Sequence, residues 1–241
     1  MAAAGQSQVF PPETVVRVII DAYFPYRRLT LAPRGLASNA KVPVFNKDRI
    51  ISDMELFQYV RLDAVRETPR GDRDWVVVLV LGADGKYSNH SPELRKLLDG
   101  VESELPTKEG RLDEVIIVAE EERFFNKKHL TEAIREAQEK QAGGPDLAGK
   151  APFYNAYPYH NFGLVVPDHK SAPPHRIMGI AEVEEFLRRE HTTRGDLPVI
   201  YTNDAQIVWN GGREGQVVEI TRDSQTAGTA LYYRRIERAA I

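Results

Sequence analysis

Acidic and basic side chains gather around one apolar run in the middle of the chain. Asp113 precedes Val115-Ile116-Ile117-Val118-Ala119, Glu120, Glu121 and Glu122 follow it, and Lys127-Lys128 come soon after. Carboxylates at the end of a buried strand, with a lysine nearby, can hold a magnesium ion and an attacking water for phosphodiester hydrolysis. A working site of that kind wants an acid and a lysine separated by one residue, and this spacing is absent. A solvated acidic turn uses the same residues. Asn126 can cap a helix whose first turn carries Lys127, Lys128 and His129, where helix amides and lysines together receive a phosphate; an ordinary exposed basic turn reads the same way. Gly82-x-x-Gly85 lacks the further glycine, or the Gly-Lys-Ser/Thr, of a phosphate loop. Four histidines, His160, His169, His175 and His191, match no common zinc spacing, and no cysteine supports them. Neither metal nor cofactor is expected. His175 is expected to satisfy backbone groups where the chain enters a helix.

Composition narrows the classes. The chain has 241 residues, no cysteine, a net charge of −3 and a pI near 6.1. Disulfides and cysteine-ligated zinc are excluded, and one large or two modest domains are expected. A protein that binds nucleic acid alone usually carries a basic surplus, so any contact to DNA must be local or made inside a larger basic assembly. The longest apolar run, Trp75 to Leu81, is too short to span a bilayer. The N-terminus shows no signal-peptide pattern, so the chain reads as soluble and intracellular with no membrane partner.

The elements that must position these side chains read as α/β. Pro11-Pro12-Glu13-Thr14 opens a helix with Val15, Ile19 and Ala22 on one stripe and Val16, Ile20 and Tyr23 beside it, and with Pro25 as its stop. Asp53 caps a second helix carrying Leu56, Phe57 and Val60. Trp75 to Leu81 is apolar on both faces, as a strand buried on both sides must be. Ser91-Pro92-Glu93 starts a helix with Leu94, Leu97, Leu98 and Val101 inward, and Val115 to Ala119 is the next strand. Strand, helix, strand is a βαβ unit. A further helix follows with Leu130, Ala133, Ile134 and Ala137 inward. Gln138 to Pro152 is polar, then rich in glycine and proline, and is read as the linker. The expected division is residues 1–145, a linker at 146–155, and a small α+β domain at 156–241.

Beyond the linker, Phe153 to Phe162 is aromatic and Gly163 to Val166 reads as a short strand. Ile180, Val183 and Leu187 mark a helix with acids early and arginines late, as the helix dipole favours. Leu197-Pro198-Val199-Ile200-Tyr201 reads as a strand, with Pro198 at its start or on an edge. Asp204 caps a short helix closed by Gly211. Gln216–Arg222 and Thr229–Ile236 should pair as an antiparallel hairpin, with Gly228 relaxing the turn.

The ordered set Ala172-Pro173-Pro174-His175, Leu197-Pro198-Val199-Ile200, Asp204, Gly211, Gly215-Gln216-Val217-Val218-Glu219-Ile220-Thr221-Arg222, Ser224-Gln225-Thr226-Ala227-Gly228 and Tyr233-Arg234 resembles the C-terminal assembly domain of one family. That family is the fifth shared subunit of eukaryotic-type DNA-dependent RNA polymerases, together with its archaeal counterpart. The resemblance covers roughly the last third of the chain. Departures are Ala205 where the family has proline, Gln225 where it has glutamate, and Thr229-Ala230 where Arg-Tyr is usual. The first half resembles the family's jaw domain, a nuclease-like fold, only in outline. Because the archaeal counterpart lacks a jaw, the eukaryotic type is the better match, and the divergence points to a large DNA virus.

The resemblance implies a non-catalytic subunit that docks on the largest polymerase subunit, contacts other core subunits, and forms part of the lower jaw near downstream duplex DNA. It implies subunit contacts at His175, Leu197, Pro198, Asp204, Gly211, Gly215, Arg222, Ser224, Thr226, Gly228, Tyr233 and Arg234. It places the helix start at Asn126, Lys127 and Lys128 near DNA. It also implies the nucleus for a cellular protein, and the virion with host cytoplasm or nucleus for a viral one. The competing expectation from residues alone is a free nuclease-like enzyme.

Overall fold

The computed structural model describes residues 10–32, 59–68, 72–82, 91–103, 110–120, 132–137, 152–224 and 228–239. Chain contacts divide it into two units, Met1–Gly163 and Leu164–Ile241. Both are mixed α/β, each built on its own sheet.

The first unit holds a five-stranded sheet in the order β1-β2-β3-β4-β5: β1 Thr30–Leu31, β2 Tyr59–Glu67, β3 Arg73–Leu81, β4 Arg111–Ala119 and β5 Phe153–Pro158. The pairs β1–β2 and β2–β3 are antiparallel; β3–β4 and β4–β5 are parallel. The run Trp75–Leu81 fills the central strand and is buried throughout, as its two-faced apolarity requires. The helix Ser91–Ser103 (α3) connects β3 to its parallel neighbour β4. Val77, Leu79, Leu81, Val115 and Ile117 form one cluster with Leu94, Leu98 and Val101 of α3 and with Ala133, Ile134 and Ala137 of α4, residues 132–137.

Alternate strand residues turn to the opposite face, where the N-terminal helix lies against β3. That helix begins as α1, Pro12–Val18, widens into a π turn at Ile19–Tyr23, and ends as α2, Phe24–Tyr26. Pro25 was expected to stop it and instead sits inside α2. The widened turn lets Phe24 N donate to Ile19 O and gives the proline ring room against the preceding turn. The helix stops one residue later, at Tyr26. Arg28 takes φ 56°, its N–H reaches Pro25 O at 3.0 Å, and Leu29 N reaches Phe24 O at 2.8 Å, a Schellman cap.

Other sequence expectations change as well. Val60, assigned to a helix with Leu56 and Phe57, lies in β2 opposite Val80; Asp53, Leu56, Phe57 and Leu130 lie outside the described residues. The linker expected at 146–155 runs into β5, so residues 153–163 belong to the first unit and the boundary falls at Leu164. The pairing of Phe153–Pro158 with β4 depends on a partner about 40 residues upstream, which local composition does not reveal. Gly163–Val166 is no strand but a turn leading into a 3-10 segment, Val166–Asp168. Gly163 faces the Phe10 ring so closely that a Cβ would stand 2.5 Å from it, and Pro167 follows at once.

The second unit holds a four-stranded sheet in the order β6-β8-β9-β7: β6 His175–Ile177, β7 Val199–Tyr201, β8 Val217–Ser224 and β9 Gly228–Glu237. The expected hairpin is β8–β9, antiparallel from Val217↔Arg235 to Ser224↔Gly228. β6 pairs antiparallel with β8, and β7 pairs parallel with β9. The helix Ile180–Arg189 (α5) contributes Val183 and Phe186 to a cluster with Met178, Leu197 and Val217. The short helix Ala205–Asn210 (α6) contributes Ile207 to a second cluster with Ile200, Val218, Ile220 and Ile236. Val217 and Val218 are strand neighbours and point oppositely, so the two clusters lie on opposite faces of the sheet. Ile180, expected inward, is the first helical residue and is exposed; Phe186 takes its place in the buried stripe.

Candidate functional site

The residues singled out in the second unit meet around one sheet, and most are held by bonds whose reason is local. Asp204 Oδ1 accepts from Gln206 N at 2.9 Å and Ile207 N at 3.4 Å, the expected N-cap of α6. Gly211 closes that helix at φ 64°, with Gly212 N on Ile207 O. Gly215 (φ 83°) donates to Ile236 O at 2.9 Å and starts β8 on register. Gly228 (φ 71°) opens β9 opposite Ser224; Thr226 lies outside the described residues. Leu197 is buried in the α5 cluster, and the carbonyl of Pro198 accepts from Arg235 N at 2.9 Å.

His175 Nδ1 lies 2.7 Å from Pro173 O, so this nitrogen carries the proton and donates. The histidine satisfies a backbone carbonyl as expected, though at the start of β6 rather than of a helix.

Aromatic and charged side chains link β6, β8, β9 and α5 on one face. Tyr233 lies against Phe186, ring centroids 4.0 Å apart and 31° between planes. Burial, and then the Glu219 carboxylate, raise the Tyr233 hydroxyl above its ordinary pKa, with Arg189 pulling the other way. Glu219 Oε1 accepts from Arg176 Nη2 at 2.9 Å, and the same guanidinium donates to both Glu182 oxygens at 2.8 and 2.6 Å. The Arg176 bonds hold the Glu182 carboxyl below the usual range. This Arg176–Glu182–Glu219 network escaped the sequence reading, because Arg176 and Glu219 become neighbours only in the β6–β8 register.

The two arginines implicated in docking behave differently. Arg234 Nη1 donates to Val199 O at 3.0 Å and so ties β9 to β7 within the domain. Arg222 is exposed, with its guanidinium 5.2 Å from the centroid of Tyr232.

In the first unit, Asp113 is 4 % exposed, with Arg66 Nη2 at 2.8 Å and Arg111 Nη2 at 3.3 Å. A magnesium ion there would have to displace two guanidinium groups. Glu120 follows β4 and is half-buried; Glu121, Glu122, Asn126, Lys127, Lys128 and Gly85 lie outside the described residues. His160 and His169 are exposed, and His191 sits in a left-handed cap at φ 49°. Among the described residues no group of three or more His, Asp or Glu side chains could hold a metal, and no helix is long and apolar enough to cross a membrane.

Comparison with known proteins places this fold. Residues 164–236 match the family of RNA polymerase Rpb5, C-terminal domain. The RPB5 homologue of a DNA-directed RNA polymerase from African swine fever virus (isolate Warthog/Namibia/Wart80/1980) is 33% identical over 166 residues, 69% of this chain and 75% of that protein. That span exceeds the second unit, so the likeness reaches into the first. Archaeal polymerase subunits Rpo5 match over less: 41% identity over 73 residues (30% of this chain, 88% of that protein) in Nitrosopumilus maritimus, and 41% over 78 residues (32% and 100%) in Methanocaldococcus jannaschii. The chain belongs to the RPB5 family of RNA polymerase subunits.

Proposed function

We propose that this chain is a subunit of a multisubunit DNA-dependent RNA polymerase that anchors through its second unit and leaves nucleotide chemistry to the large subunits. The observation that carries this reading is the coincidence of one fold with one match. The family span, residues 164–236, begins at the first residue of the second unit and ends on β9. A relative made of little more than that span is itself named a polymerase subunit.

The anchor's partner is the largest subunit, met by the β8–β9 hairpin with its exposed Arg222, Leu231 and Tyr232. The first unit is the jaw, a nuclease-like fold serving a positional role beside downstream duplex DNA, with Asn126, Lys127 and Lys128 nearest the phosphates. The reading of a free nuclease gains no support from Asp113, whose carboxylate is engaged by Arg66 and Arg111. The viral relatives match more of the chain than the archaeal ones, and on that likeness the chain reads as a virus-type subunit acting in the virion and in the host cytoplasm or nucleus.

Affinity purification of the tagged chain tests the anchor. The wild type should bring down a very large subunit. Arg222→Ala with Gly228→Val should abolish this, because valine is strained at φ 71° and the loop shifts while the rest of the domain stays folded. Normal assembly of that variant, or assembly of residues 1–163 alone, would overturn the reading.

A further inference from the structure

Strand β9 is ten residues long, yet among the described residues only Arg235, Ile236 and Glu237 find a partner on its outer side, in β7. On its inner side β8 accompanies it without a register shift from Arg235 to Gly228. Backbone groups of successive residues alternate in direction along a strand. Ile236 N donates inward to Gln216 O, and Arg235 N donates outward to Pro198 O. By the same alternation the N–H and C=O groups of Thr229, Leu231 and Tyr233 point outward, and among the described residues no backbone meets them.

The reason the ladder stops is one residue. In the parallel β7–β9 register, the amide of residue 198 would donate to the Tyr233 carbonyl, but Pro198 has no N–H. The chain before it turns away into a 3-10 segment, Arg194–Asp196.

Exposed strand edges invite another strand unless charge, proline or a bulge blunts them. Thr229, Leu231 and Tyr233 are uncharged, and the β8–β9 register carries no bulge. Leu231 and Tyr232, neighbours on opposite faces at the middle of this edge, are 51% and 48% exposed.

We propose that an extended segment of a partner polymerase subunit adds to β9 along Thr229–Tyr233, end to end with β7; this rests on the docking reading above. Main-chain bonds to the outward groups hold it, and alternate side chains give the choice of partner. The segment is apolar beside Leu231 and Tyr232. It carries a carboxylate on the Tyr232 face, because the exposed Arg222 guanidinium over that ring has no carboxylate partner among the described residues. Ala230, paired with Arg222 in register, is small enough for the guanidinium to reach across it.

The test uses the full chain with Leu231→Pro, which removes an outward N–H and spares the bonds to β8, beside Leu231→Thr, which keeps the N–H. Circular dichroism and melting near wild type are expected for both. Co-purification with the polymerase core should fall at least tenfold for Leu231→Pro and stay within about twofold of wild type for Leu231→Thr. Normal assembly of Leu231→Pro overturns strand addition. If Arg222→Ala with Gly228→Val still blocks assembly in that case, docking through the hairpin survives; if it too assembles normally, the docking reading falls as well. Should Leu231→Pro unfold, hydrogen exchange of the wild-type chain at single-residue resolution decides. The Leu231 and Tyr233 amides should slow at least tenfold on assembly, and unchanged rates overturn the proposal. Self-association of the free chain through this edge would overturn it in favour of a second copy.

Discussion

The two units solve the same problem, a sheet between helices, and treat charge in opposite ways. In the first, ion pairs are sealed inside. Arg27 Nη2 stands 2.8 Å from Glu114 Oε2 with both side chains under 5 % exposed, and Arg61 and Asp63 are buried together at 2.7 Å. Tyr23 accepts from Arg27 at 2.8 Å, and Asn155 donates to the other Glu114 oxygen at 3.0 Å, so the pair ties the N-terminal helix to β4 and β5. In the second unit the arginines pair at the surface, Arg176 with Glu182 and Glu219, Arg189 with Glu190. A buried pair fixes one arrangement of its elements and penalises every other, because either charge left alone is costly. Surface pairs contribute little to stability and leave their face adjustable.

The difference can be broken from the inside first. Each unit holds one of the chain's two tryptophans, Trp75 in the first and Trp209 in the second, so fluorescence with either replaced by phenylalanine follows one unit at a time. Burial works against the Arg27 charge, but Glu114 and Tyr23 hold its pKa above the ordinary value. Arg27→Ala leaves the buried Glu114 carboxyl without its cation, and urea unfolding should show the first unit destabilised by about 3–5 kcal/mol with Trp209 unaffected. The double change Arg27→Met with Glu114→Leu should recover most of that loss. If Arg27→Ala costs no more than an exposed-pair mutation, the buried pair is not the tie described.

Phe186→Ala tests the other side. It removes the ring that packs on Tyr233 and Val183 and should cost about 3 kcal/mol in the Trp209 transition alone. Equal losses in both transitions would mean that the units do not unfold separately.

A smaller effect of opposite sign is expected at His191. It caps α5 at φ 49°, with Thr192 N on Leu187 O at 3.1 Å, in the role that Gly211 plays for α6. His191→Gly should stabilise the second unit by about 0.5–1 kcal/mol, since glycine adopts this conformation without a Cβ penalty.

The smallest effect concerns acid. Arg176 bonds hold Glu182, and Thr193 bonds hold Asp196, below their ordinary pKa. A carboxyl depressed in the folded state stabilises fully above its unfolded value, and this is lost as pH falls through the folded value. Unfolding midpoints of the second unit should therefore decline as pH is lowered below the ordinary carboxylate range, and Arg176→Ala should flatten that decline. Midpoints insensitive to this mutation would remove the network from the account.

What could be read from the sequence was what is decided within a few residues. Asp204 as a cap, Gly211 and Gly228 at positive φ, the two-faced strand Trp75–Leu81 and the Leu94/Leu98/Val101 stripe all follow from local sterics and periodicity, and all stand. The RPB5 likeness was legible for the same reason, since caps and turns recur at set spacings through residues 164–236. The tertiary structure alone decided what depends on distant partners. β2 and β5 became strands because β3 and β4 were there to pair with them, which moved the boundary to Leu164. Asp113 became an arginine-bound carboxylate through Arg66, 47 residues away. Pro198 was visible as a strand punctuator, but that it leaves the outer edge of β9 without a partner among the described residues appeared only with the register, because a missing N–H matters only opposite a carbonyl that needed it.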